Sequence, residues 1–370
     1  MRIVLFCHSL FSDWNHGNAH FLRGVVLELL ARDHEVKVFE PVDGWSRANL
    51  VVDHGQEALD DVRRAFPDLR STSYDLHGSD VGVMTEGADL VIVHEWNDPE
   101  LVAALGHERS EGGFRLLFHD THHRAATRPD EMARYDLSGY DGVLAFGGVI
   151  RDLYLERGWA KQAWTWHEAA DIRTFRPMEG VARRGDLVWI GNWGDGERTG
   201  ELHEFLLEPV RRLGLSAQAY GVRYPKDAVR ALAAAGIRYG GWRANHRAPA
   251  AFAAHAVTVH VPRRPYVEAL PGIPTIRPFE AMACGIPLVC APWDDAEALF
   301  RPGEDYLVAG DGHEMQRRLD DVVHDPELAR SLRESGLATI AGRHTCGHRV
   351  DELMGICGEL GLESDGSGGA

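Results

Sequence analysis

Along the chain, short apolar runs alternate with stretches in which apolar residues recur at helical spacing. In the first half the runs IVLFC (from Ile3), EVKVF (from Glu35), DLVIVH (from Asp89), FRLLFH (from Phe114) and GVLAF (from Gly142) predict strands. Between the first two, AHFLRGVVLELLARDH places Phe21, Leu22, Val25, Val26, Leu29 and Leu30 on one face of a helix. Strands that are apolar almost throughout must be covered on both faces, so this β-α-β alternation predicts a parallel sheet with helices on either side.

The pattern pauses between Trp166 and Gly185, where Pro177, two glycines and clustered charge predict a linker. It restarts with DLVWIG (from Asp186), SAQAYG (from Ser216), AVTVHV (from Ala256), PLVCA (from Pro287) and DYLVA (from Asp305). The reading is two doubly wound α/β units in tandem: residues 1–170 and 178–343, with a helix in 344–362 crossing back onto the first unit. The last residues, 363–370 (ESDGSGGA), are expected to form a flexible tail.

Composition narrows the partners. Asp and Glu number 56 against 39 Lys and Arg, a net charge of -17 that disfavours nucleic acid and anionic membrane surfaces but leaves room for one small phosphate ligand in a local basic cleft. The opening MRIVLFCHSLF is too short to span a membrane and lacks a small-residue cleavage site, so it reads as the first strand. Five cysteines without a C-x-x-C pair fit buried thiols in a reducing cytoplasm.

In open parallel sheets ligands bind outside the carboxyl ends of the strands. After DLVWI come Gly191, Asn192, Gly194 and Gly196, then a helix with Arg198 at its start. Such a turn lets backbone amides approach a diphosphate, although it also suits a plain surface turn. It is not G-x-G-x-x-G, because the next glycine falls at Gly200, and the first strand is followed by a single glycine. Nicotinamide chemistry is therefore disfavoured. Further on, a helix predicted from Ile276 carries Arg277 and Glu280 on one face, a cation for phosphate and a carboxylate for two vicinal hydroxyls. An ordinary surface ion pair fits these two residues equally well.

The segment RPFEAMACGIPLVCAPWDDAEALFRPGEDYLVAGD from Arg277, with DPELARSLRESGLATIAGRHTCGHRVDEL after it, resembles CgeB-like glycosyltransferases, a branch close to the family 4 enzymes. The resemblance extends back through VWIGNW, FLLEPVRRLGLSAQAYG and VTVHVPR, and more weakly to NHGNAHFLRGVVLELLARDHEVKVFEP. It implies the GT-B architecture, two Rossmann-like domains facing a cleft, and transfer of a hexosyl-type group from a nucleotide diphosphate sugar without a catalytic metal, with retention of configuration as the expected outcome. Glu280 matches the second glutamate of the family's E-x7-E motif, which binds ribose. The first glutamate's place is taken by Gly272, which leaves the sugar and the stereochemistry open.

On this reading the donor set is Gly191, Asn192, Arg198, Gly221, Arg223, Gly272, Ile273, Thr275, Ile276, Arg277 and Glu280. The acceptor side comprises His16, Gly17, Asn18, Glu95, Trp96 and His123, and the catalytic candidates are His119, Asp120, His122 and Arg277. Of these, His119 and Asp120 match an HD-type pair at a strand end. Twenty histidines invite a metal, but no H-E-x-x-H or cysteine pairing supplies a ligand set, and none is expected. Trp14, Trp45, Trp96 and Trp242 either stack on an acceptor or pack internally. A sugar-nucleotide epimerase and a catalytically silent sugar-nucleotide or glycan-binding protein are the alternatives, since fold does not fix reaction. Acceptor, nucleotide base and oligomeric state are open.

Overall fold

The computed structural model describes residues 1–111 and 113–362, so the expected tail at 363–370 lies outside the described residues. The chain divides into two compact units, Met1–Glu168 together with the chain from Cys346, and Ala169–Thr345.

The first unit is built on a parallel sheet of β1 (Arg2–Phe6), β2 (Glu35–Pro41), β3 (Thr72–Tyr74), β4 (Leu90–His94), β5 (Arg115–Asp120), β6 (Gly142–Ala145) and β7 (Ala163–Thr165). Its order, β3-β2-β1-β4-β5-β6-β7, puts the reversal between β1 and β4. Every residue of β4 is buried, as the uninterrupted apolar run LVIV requires of a strand covered on both faces. The helix Ala19–Ala31 buries Phe21, Leu22, Val25, Val26 and Leu29, while Leu30 is half-buried. Arg23 is buried too, donating to Leu10 O at 3.0 Å and pairing with Asp13 at 3.4 Å.

The helix Cys346–Glu359 packs against Ala19–Ala31 and buries Cys346, Arg349, Val350, Leu353, Ile356 and Cys357, a stripe at three- and four-residue spacing. Trp166 Nε1 donates to Arg349 O at 2.7 Å and Arg32 pairs with Asp351 at 2.6 Å, which fixes the helix at both its inner and outer faces.

The second unit carries β8 (Gly185–Ile190), β9 (Ala217–Tyr220), β10 (Ile237–Tyr239), β11 (His255–His260), β12 (Leu288–Cys290) and β13 (Leu307–Val308), all parallel, in the order β10-β9-β8-β11-β12-β13. The reversal lies between β8 and β11. Two separate apolar clusters flank this sheet: one holds Leu202, Phe205, Leu206, Val210 and Leu232, the other Phe252, Phe279, Met282 and Ile340. The helices after β8 and β9 thus pack on one face, and Ile276–Ala283 on the other.

Three strands were not predicted: β3, β7 and β10, each of three residues and each at a sheet edge. An edge strand is paired on one side only and needs no continuous apolar run. No disulfide joins the five cysteines, all of which are buried. Among the described residues no helix is long and apolar enough to cross a membrane.

Candidate functional site

In the first unit, the chain leaving the carboxyl ends of β1, β4 and β5 brings together four buried imidazoles. His8 and His16 lie 5.6 Å apart between ring centroids, His16 and His94 5.9 Å, and His94 and His119 5.3 Å. Burial holds all four neutral: it pushes His8 down to about 4 and His119 to about 3, and carries His16 and His94 well below the usual histidine range. His94 Nδ1 accepts from Trp96 N–H at 3.3 Å, so its Nε2–H faces Thr121 Oγ1 at 3.2 Å. His119 is 1% exposed, and among the described residues neither ring nitrogen has a hydrogen-bond partner; its ring lies against Trp166 at 4.8 Å. His8 was missed in the sequence, where its only signal is its place two residues after a strand.

His119 and Asp120, the HD-type pair at the end of β5, turn to different partners. Successive strand residues point to opposite faces, and the Asp120 carboxyl accepts from His122 N–H at 3.0 Å and the Tyr154 hydroxyl at 2.8 Å. Burial, then the nearby Glu95 charge, pushes Asp120 well above the usual carboxyl range. Glu95, expected to face an acceptor, is turned inward with no exposure. Its Oε1 accepts from Thr121 N–H at 2.9 Å and its Oε2 from Arg124 at 2.6 Å, so the carboxylate ties the end of β5 to Arg124. Arg124 in turn lies 4.0 Å over the Trp96 ring, and His122 meets Trp96 at 5.1 Å. Trp96 and His122 are half-buried and stand at this edge, whereas His123 is buried and bonds Thr127 Oγ1 at 2.7 Å. Asn18 donates to Glu168 at 2.9 Å, His16 is buried, and Gly17 is exposed. The loop that carries them starts from a backbone anchored on Glu40, which accepts from Leu10 N–H at 2.6 Å.

In the second unit, Arg198 does not project from the turn toward open space. It lies beneath the turn, donating to Val261 O and Asn192 O, each at 2.6 Å, with its guanidinium 5.3 Å over Trp189. The glycines make room for it: a β-carbon on Gly194 would sit 3.0 Å from Arg198 Cγ, and one on Gly191 2.9 Å from the Trp189 ring. Gly221 is required for a different reason, since its β-carbon would stand 2.1 Å from Gly191 O. Asn192 Oδ1 accepts from Val222 N–H at 3.0 Å, and Arg223 pairs with Asp195 at 3.1 Å on the rim.

Glu280 is no surface carboxylate. It is fully buried, with Oε1 accepting from Asn245 Nδ2 at 3.0 Å and Oε2 from Arg277. Asn245, from the segment after β10, had no sequence signal. Arg198, Arg263 and Arg277 gather with His260 here: burial, then Arg263, lowers Arg198 to about 9, and burial with Arg198 and Arg277 lowers His260 to about 3. Gly272 N–H is held by Asp294 O at 2.7 Å and Ile273 N–H by Leu270 O at 3.2 Å, so these amides shape the loop before the helix and do not offer themselves to a ligand. Thr275, a β-branched residue at φ +62°, is strained, and Ile276 begins the helix. Among the described residues no cluster of three or more His, Cys, Asp or Glu side chains is placed to hold a metal ion.

Residues 198–355 match the model of a family described as glycosyl transferase-like. Sucrose-phosphate synthase from Thermosynechococcus elongatus superposes with a TM-score of 0.66 at 14% identity, over 98% of this chain and 100% of that one. Alr3699/HepE of Anabaena, in complex with UDP and glucose, gives 0.68 at 14% identity over 97% and 100%. The fold is GT-B. An alpha-glucosyltransferase in complex with UDP-glucose and DNA containing an abasic site shares this GT-B fold, with a TM-score of 0.69 at 12% identity over 96% and 99% of the two chains. No curated protein matches the sequence.

Proposed function

We propose that this GT-B protein is a metal-independent glycosyltransferase that moves a hexose from a nucleoside diphosphate sugar to an acceptor. The observation that carries this reading is Glu280, fully buried one turn into the helix Ile276–Ala283 and flanked by Arg277 and Asn245. A carboxylate so placed accepts from the two ribose hydroxyls once Arg277 turns to phosphate. The match over 198–355 covers the same helix together with Arg198, Arg263 and Arg277. UDP-sugar complexes of GT-B neighbours support a nucleoside diphosphate donor.

The bond between the anomeric carbon and the diphosphate oxygen breaks as the acceptor oxygen bonds to that carbon, and the acceptor proton passes to the departing diphosphate. Charge developing on the diphosphate is met by the helix N-terminus and the cation cluster. Attack on the same face retains configuration, as in the CgeB-like and family 4 enzymes that the sequence resembles. The acceptor is a small molecule or glycan bound by the first unit, with Trp96 and His122 at its edge. A net charge of -17 argues against DNA, which accompanies one GT-B neighbour.

Incubating nucleotide sugars with and without acceptors tests the reading. Transfer requires the acceptor, an epimerase acts without one, and a binding protein turns over neither. Glu280→Gln, which replaces one carboxylate acceptor by a donor, is expected to weaken nucleoside diphosphate binding by about tenfold in calorimetric titration. Exhaustive chelation is expected to leave turnover unchanged; loss restored by one divalent ion would overturn the metal-free mechanism.

A further inference from the structure

The side-chain space at residue 272 is already filled. A β-carbon built on Gly272 would lie 2.7 Å from Cγ of Glu297 and 2.9 Å from its Oε1, so the Glu297 carboxylate occupies the volume that a side chain at 272 would enter. Gly272 is at φ +88°, a conformation that favours glycine, and the contact is built from both sides. Gly272 N–H donates to Asp294 O at 2.7 Å, and Asp295 caps its own turn by accepting from Leu299 N–H and Phe300 N–H, each at 2.9 Å. Glu297 therefore reaches the loop 270–275 from a segment fixed against it.

We infer that Glu297 reads the hydroxyls of the transferred sugar, acting as a specificity-determining residue that the sequence pattern does not mark. The inference rests on the donor reading above. With ribose on Glu280 and diphosphate at the start of Ile276–Ala283, the sugar beyond the diphosphate comes alongside the loop that leads into that helix. A carboxylate there accepts from two vicinal hydroxyls, which neither the amides of Gly272 and Ile273 nor Pro274 can do. Glu297 reaches this place from 25 residues further along the chain, on the loop that follows β12.

The test is titration of the full chain with UDP, GDP and ADP, each alone and as its hexose conjugates, in the parent, Glu297→Gln and Glu297→Ala. The parent is expected to bind one conjugate more tightly than its diphosphate. Glu297→Ala should lose about ten- to a hundredfold of that gain, Glu297→Gln should lose less, and both should keep the parent's affinity for the diphosphate alone. That unchanged affinity also reports an intact fold. Variants that keep the full gain, or a parent that binds every conjugate no better than its diphosphate, overturn the inference while leaving the nucleotide site standing. A parent that binds no diphosphate overturns the donor reading itself, and this inference with it.

Discussion

Replacing Arg124 by methionine is expected to cost about 3–5 kcal/mol of folding stability, because it leaves a buried carboxylate without its cation. Glu95 has no exposure and Arg124 little, so water cannot take the place of the guanidinium. Methionine keeps an apolar side chain of similar length but removes both the ion pair and the guanidinium over Trp96, so the loss contains a cation–π part as well. Glu95→Gln removes the buried charge as well and should cost less, and adding it to Arg124→Met should recover much of the loss. Urea unfolding followed by tryptophan fluorescence measures all three. A loss below about 1 kcal/mol for Arg124→Met would show that the Arg124–Glu95 contact does not hold this part of the unit.

Acid is expected to unfold the first unit ahead of the second. His8, His16, His94 and His119 are neutral when folded but protonate near pH 6.5 when unfolded, so below that pH the unfolded chain binds more protons. Their contribution is complete above pH 6.5 and is lost as pH falls through the window between 6.5 and their folded values. For His8 and His119, whose folded values lie near 4 and 3, the cost at pH 5 is about 2 kcal/mol apiece, from about 1.5 pH units at 1.36 kcal/mol per unit, and His16 and His94 act in the same direction. Asp120 and Glu40, raised by burial, act in the opposite sense, since the folded chain holds their protons at higher pH than the unfolded chain does. The histidines outnumber them. In the second unit, His260 is pushed down as far as His119, and His255 to a lesser degree. Thermal melting between pH 7.5 and 4.5 should show an early transition that moves steeply below pH 6.5. Coincident, pH-independent melting would mean that the imidazoles are hydrated.

The central strands were legible because burial on both faces leaves a continuous apolar run, as in β4. The edge strands β3, β7 and β10 carry no such run, and β10 alternates a buried Ile237 with an exposed Arg238. At the site, position along the chain was legible and direction was not. Glu95 and Arg198 were correctly placed after strands, but only packing reveals that one faces the protein and the other lies under its own turn. Glu280 stood out by its spacing from Arg277, and Gly272 only through the E-x7-E motif of the resemblance. Asn245 and Glu297 did not, because each reaches its partner from a different segment, and no local pattern encodes that meeting.

The second unit is inserted between β7 and the helix Cys346–Glu359, and its two ends run side by side: Ala170 N–H donates to His344 O at 2.9 Å, and Ala170 bridges Thr345 in parallel. A segment whose ends meet in this way can be exchanged as a cassette. On the proposed donor reading, recombination at the two joins would exchange the positions of Glu280 and Glu297 together in one step, while the histidine-lined edge and the helix that returns to it stay unchanged.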